Sequence, residues 1–335
     1  MAQRPHLRQP QLGQCGRRFG RATRAAGLHG REHLLIDQAP YRYGHPMFGW
    51  LARVLALGRP GSVPSALLAL TVLGAAVAAY AVSRLSVQLG RTPWGGLLVA
   101  SSPGLLYAVT VSTTETVGTA LAALVLLAWS RRHITGAAGL LVLLCLTKEA
   151  YVTVPAGLAL WEAVEWARRR TPPPELGRSI VALAAGPLAL AAWQVYVRLQ
   201  LGVWPDMERP GNVAVPVQGW LDTFAFAHGL SGGSADQSQI GAIVAPILIA
   251  VAAVLLAASV TALRMRTLLD GVLLGMVVVL ASLSYLTLGY PHELVRNPSV
   301  VVLLAIAVLL SRPAAGRTPP SPAPAAAPAA ALPPV

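Results

Sequence analysis

Leu146-Thr147-Lys148-Glu149-Ala150-Tyr151 is a charged break inside an apolar run that extends from Ile134 to Val164. As one helix, that run would hold Lys148 and Glu149 near mid-bilayer. It would also send Arg131-Arg132-His133 and Arg168-Arg169-Arg170 to opposite membrane faces, against the excess of basic residues expected in cytoplasmic loops. As a hairpin with Lys148-Glu149 at its tip, it keeps both basic clusters in the cytoplasm and carries the charged pair to the external face. Its first arm, Ile134 to Thr147, is about 21 Å long at ~1.5 Å per residue, against a ~30 Å hydrocarbon core. The tip is therefore expected below the surface, in a cavity open to the outside.

The rest of the chain fits that reading. Hydrophobic residues make up 55% of its 335 positions and charged residues 12%, with a mean hydropathy of +0.58, so apolar runs recur with few charges between them. This predicts an all-α, polytopic transmembrane bundle. The net charge of +13 does not point to nucleic acid, because the arginines sit at helix ends and in the N-terminal segment. Cys15 and Cys145 are too few and too differently placed for a disulfide framework or a CxxC metal site.

Residues 1–36 carry seven arginines before Glu32 and read as a basic disordered tail without a signal-peptide core. Tyr41-Arg42-Tyr43-Gly44-His45-Pro46 leads into a short interfacial helix with Trp50 and Arg53, Pro46 being suited to a first helical position. About nine spans follow in the membrane domain, 37–312: Ser62–Leu85, Pro93–Val111, Glu115–Ser130, Ile134–Thr147, Tyr151–Trp166, Ser179–Gln200, Ile240–Leu263, Leu268–Leu288 and Ser299–Leu310. External loops are expected at about 37–61, 201–239 and 289–298, the second with a short interfacial helix at Gln218–Ala227. Residues 313–335, rich in Pro and Ala, read as a disordered cytoplasmic tail. Arg84, Arg91, Arg264 and Arg266 join the two basic clusters on the cytoplasmic side. Counting back from Arg84 places the arginine-rich start outside the cell, which predicts a natural chain that begins further upstream with one more helix.

The remaining chemistry gathers on the external side: Asp37, Tyr41, Arg42, His45, Glu115, Lys148, Glu149, His292, Glu293 and Arg296. Glu115 opens a helix, where the dipole favours a carboxylate; it is either a cap or a group that positions an acceptor hydroxyl or a metal. Lys148 and Glu149 are either a solvated turn or a phosphate-binding cation with its partner. Arg296 is an interfacial arginine or a second phosphate cation. His45 suits packing or capping as well as chemistry, and His292 with Glu293 supplies only two metal-ligand types in one loop. An acid near cations on the outer face of a membrane suits transfer from a lipid phosphate, the carboxylate taking a proton and the cations stabilising the departing phosphate.

These residues resemble the GT-C class of integral-membrane glycosyltransferases, of the protein O-mannosyltransferase and aminoarabinose-transferase type with actinobacterial relatives. Gly44-His45-Pro46-Met47 stands where that type has a Lys-Pro-Pro-Leu-like motif. Ser102-Pro103 with Glu115 matches its Ser-Pro and acidic helix start, and Leu146-Thr147-Lys148-Glu149 is similar to its Leu-Thr-Lys-Gly. Tyr41-Arg42-Tyr43-Gly44 is similar to a Tyr-Arg-Tyr stretch of the actinobacterial members.

The resemblance covers about Asp37 to Ala167. It implies an inverting transfer, in the plasma membrane, from a polyprenyl-phosphate-linked sugar to a glycan or protein acceptor. Asp37 and Glu115 would be catalytic, with Tyr41, Arg42, His45, Lys148, Glu149, His292, Glu293 and Arg296 binding substrate or phosphate. The implied donor is a membrane lipid entering between helices. No cofactor is evident, and a divalent cation is compatible with the reaction without a ligand cluster to support it.

The family's first-loop acid and the helix before it have no counterpart here. Either Asp37 substitutes, the start lies upstream, or the chain is inactive. Two other classes remain: a non-catalytic or truncated scaffold, and a lipid or solute transporter, although Glu162, Glu165, Arg198 and Asp270 lie near span ends and no internal repeat is present.

Overall fold

The computed structural model describes residues 43–90, 92–172, 175–205, 213–230 and 235–310. It is 82% helical, and among the described residues no strand forms beyond an isolated bridge between Val213 and Leu283, so the all-helical expectation holds. The helices are α1 (Pro46–Leu55), α2 (Val63–Gln88), α3 (Gly95–Ala100), α4 (Pro103–Thr110), α5 (Glu115–Ser130), α6 (Ile134–Thr147) and α7 (Thr153–Arg169). They continue as α8 (Leu176–Leu201), α9 (Gln218–Leu230), α10 (Ala235–Ala262), α11 (Leu268–Ala281), α12 (Tyr285–Leu288), α13 (Pro291–Arg296) and α14 (Ser299–Leu310).

Length sorts these helices into a sheath and a centre. Three stretches, Pro60–Gln88, Leu176–Leu201 and Gln239–Ala262, are long and apolar enough to cross a membrane. Their outer faces expose Leu68, Val72, Ile180, Leu188, Ile249 and Leu256. Water would disfavour such surfaces and lipid tolerates them, so the chain is membrane-associated. The shorter apolar helices α5, α6, α11 and α14 lie inside, where Trp129, Leu141, Leu144, Leu269 and Leu273 form the largest core cluster. α6 is held between α5 and α8, and α7 packs along α11.

The α7–α11 crossing is close because Gly157 faces Gly271. A methyl group added at Gly157 would stand 2.5 Å from the Val272 Cα. Small residues that let two backbones approach are the usual means of helix packing where lipid removes the hydrophobic drive.

Local sequence explains where elements start and stop. Pro46 opens α1 at its first position, as expected. The expected span Pro93–Val111 is instead broken at Ser101–Ser102, because Pro103 holds Ser102 extended (ψ 118°) and starts a new helix. The expected span Leu268–Leu288 ends early at Ala281. There the backbone N–H groups of Ala214 and Val217 bond the carbonyls of Ser282 (2.8 Å) and Ala281 (2.7 Å).

Several of the basic clusters gather at one end of the bundle. Arg132 pairs with Glu162 (2.7 Å), which also accepts from the Trp129 indole (2.9 Å). Arg168 donates to the carbonyls of Arg264 (2.8 Å) and Met265 where α10 ends. Gln88, at the end of α2, accepts from Ser130.

Candidate functional site

The opposite end of the bundle is built around the hairpin tip. Thr147 bonds back to the Leu143 carbonyl (2.8 Å) and closes α6. Lys148 then takes a single extended conformation (φ −164°, ψ 137°) before a 3-10 turn at Glu149–Val152 leads into α7. One extended residue reverses the chain and turns Lys148 toward the start of α5. There its Nζ lies 3.4 Å from Oε1 of Glu115.

Glu115 is the hub. Its side chain is only 6% exposed, and the same Oε1 lies 3.6 Å from Nε of Arg296, at the end of α13. Each pairing contributes on the order of 4 kcal/mol of gross attraction at that separation, largely offset by the desolvation of burying the ions. Oε2 of Glu115 is buried with no hydrogen-bond partner among the described residues. Arg296 also donates to Glu293 (2.6 Å), and the Asn297 amide joins the same Glu293 oxygen (2.8 Å) to the Thr287 carbonyl (3.0 Å). His292 stands 3.8 Å from the second Glu293 oxygen.

A strap crosses the tip. Nε2 of His45 contacts Glu149, and the Trp193 indole donates to the Tyr43 carbonyl (2.7 Å), with Trp50 edge-on to Trp193 at 4.9 Å. This seats α1 against α6 through Met47, Cys145 and Leu146, with Leu190 of α8 in the same cluster.

His45, Glu115, Lys148, Glu149, His292, Glu293 and Arg296 therefore gather at one end of the bundle. Asp37, Tyr41 and Arg42 lie outside the described residues. Sequence reasoning missed Tyr151 and Asn297. Tyr151 is buried against α5 because Gly118, one turn beyond Glu115, has no side chain; any Cβ there would run into the Tyr151 hydroxyl. A glycine leaves no mark on hydropathy, so nothing local announced that contact. Asn297 adjoins Arg296, and its position alone was the clue.

Below the charged cluster the bundle is open. Glu115, Thr119, Ala122, Ala123 and Leu126 follow helical spacing along one face of α5, and the last four line a cavity of about 720 Å³. Its other walls come from α2, α3, α11 and α14, including Leu85, Trp94, Met276 and Leu304, and it runs toward the basic end of the bundle. Its few polar linings are hydroxyls such as Ser86, Thr92 and Thr119. Among the described residues no charged side chain lines the cavity; Thr119, on its wall, lies one helical turn beyond Glu115.

Among the described residues no three His, Cys, Asp or Glu side chains converge as metal ligands. Comparison with protein-family models, with curated proteins and with solved structures finds no match. Fold and site define an all-helical, membrane-associated protein with a charged cluster at one end of the bundle and an apolar cavity along α5.

Proposed function

We propose that this chain is a polytopic, GT-C-like glycosyltransferase of the plasma membrane, with about nine crossings. It moves a monosaccharide from a polyprenyl-phosphate donor to an acceptor on the extracytoplasmic face. The observation that carries this reading is the juxtaposition of Glu115, Lys148 and Arg296 with the apolar cavity along the same face of α5. The isoprenoid chain occupies the cavity and the phosphate reaches Lys148 and Arg296. A guanidinium has five N–H donors, so Arg296 can hold Glu293 and still meet a phosphate oxygen.

In the reaction the acceptor hydroxyl attacks the anomeric carbon from the side opposite the phosphate. The new glycosidic C–O bond forms as the sugar–phosphate C–O bond breaks, and the electron pair leaves on the polyprenyl phosphate. The hydroxyl proton passes to a carboxylate base, a role Asp37 takes as a substitute for the family's first-loop acid. Lys148 and Arg296 stabilise the charge growing on the phosphate. Glu115 is a positioning residue that holds both cations at one carboxylate oxygen.

The test is sugar transfer in membranes containing this chain, supplied with radiolabelled polyprenyl-phosphate sugars. The expected result is transfer by the wild type that Lys148→Ala and Glu115→Ala abolish at unchanged expression. Absence of transfer with every sugar supplied overturns the reading.

A further inference from the structure

The charged cluster continues into a row of aromatic rings that neither ion pairing nor the cavity accounts for. From α4, Tyr107 meets His292 at a centroid distance of 5.7 Å, and His292 stacks on Tyr290 at 5.9 Å. Tyr290 meets Phe226 of α9 at 6.4 Å, and Phe226 meets Tyr285 at 6.0 Å. Five rings from four separate segments therefore stand in consecutive contact across the hairpin end. Tyr290 and Tyr285 are 49% and 41% exposed, so the row is a surface and not a core.

Its inner end is polar: His292 adjoins Glu293, which Arg296 and Asn297 orient. Aromatic faces carry partial negative charge and attract the weakly positive C–H groups of a sugar ring, while a carboxylate and an amide accept and donate to its hydroxyls. Tyrosines of an interfacial belt anchor individually at the headgroup level. A contiguous row ending on an oriented carboxylate suits a chain of rings.

We infer that Tyr107, His292, Tyr290, Phe226 and Tyr285 form a binding track for an oligosaccharide chain, whose terminal sugar is delivered to Glu293 and the Glu115–Lys148–Arg296 cluster. This rests on the transfer reading above and deepens it by naming the acceptor as a glycan. The track makes its own contacts, so its binding is measurable without transfer.

The experiment is saturation-transfer NMR on the full chain in nanodiscs with three neutral probes: mannohexaose, arabinohexaose and cellohexaose. At least one is expected to receive saturation at its ring C–H protons. Tyr290→Leu and, separately, Tyr285→Leu should weaken that binding about tenfold or more, while Tyr290→Phe retains it. Using both exposed positions guards against one variant that fails to fold. No saturation of any probe by the wild type, or binding unchanged in both leucine variants, overturns the proposal and leaves the rings as an interfacial belt. Binding without sugar transfer sinks the transferase reading and leaves the track standing; transfer to a protein acceptor with no effect of Tyr290→Leu does the reverse.

Discussion

Glu115 opens α5 and Lys148 is the extended residue that follows α6, yet Oε1 of one lies 3.4 Å from Nζ of the other because the hairpin tip folds back onto the start of α5. With Arg296 at 3.6 Å on the same oxygen, removing any one charge leaves the others inadequately compensated. Glu115→Ala is expected to destabilise the protein by about 3 kcal/mol or more, as stranding buried charges does. Combining it with Lys148→Met should cost less than the sum of the two single changes. Urea or thermal unfolding of the four proteins in one detergent measures the coupling, and strict additivity would show that the pair does not interact.

Gly118 makes room for the Tyr151 ring. Gly118→Ala should therefore destabilise by about 1–3 kcal/mol through overpacking. Tyr151→Ala in the same chain should relieve that strain while opening a cavity of its own. A melting shift for Gly118→Ala that persists undiminished in the Tyr151→Ala background would rule this contact out as the cause.

Filling the hollow tests its use. Ala122→Phe projects a ring into the cavity space between α5 and the opposite wall. We expect sugar transfer to fall at least about tenfold while the unfolding midpoint moves little, since the added volume enters existing space. Transfer at the wild-type rate would mean that nothing essential occupies the cavity.

The strap over the tip is held by His45 on Glu149 and by Trp193 on the Tyr43 carbonyl. Glu149→Ala with Trp193→Phe removes both ties. Amide hydrogen exchange across Pro46–Leu55 should then accelerate by about tenfold or more while α5 and α6 keep their protection. Equal acceleration in all three helices would indicate general unfolding and not a released strap.

At the basic end, Glu162 satisfies Trp129 and Arg132 with one oxygen. Glu162→Ala is expected to cost about 2–4 kcal/mol, because a buried indole N–H and a cation lose their acceptor together. Tryptophan fluorescence during chemical denaturation measures that loss. A cost under about 0.5 kcal/mol would show that water replaces the carboxylate.

What the sequence made legible were features with local causes. Lys148-Glu149 disclosed the hairpin because charges interrupt an apolar run, and Pro46 marked the start of α1 because its fixed φ and missing N–H suit a first helical position. The break at Ser101–Ser102 was also local, written in Pro103, but hydropathy averaged over the stretch concealed it. The end of α11 at Ala281 was not legible, since distant N–H groups from 214 and 217 impose it. Likewise the residue types at 115, 148 and 296 suggested charge chemistry, whereas their meeting on one oxygen depends on helix packing that no local window contains. The aromatic row escaped notice for the same reason, since Tyr107, Phe226 and Tyr290 share no periodicity.

The short centre within a long sheath has an electrical consequence. α2 measures about 39 Å and α6 about 21 Å at ~1.5 Å per residue, so in a bilayer the insulating path through the middle of this bundle is roughly half that along its rim. A membrane voltage falls across whatever low-dielectric thickness it meets, and a thinner septum carries a steeper gradient per ångström. The ammonium of Lys148, at the end of α6, would therefore sit in a stronger field than a lipid-exposed charge at the same depth.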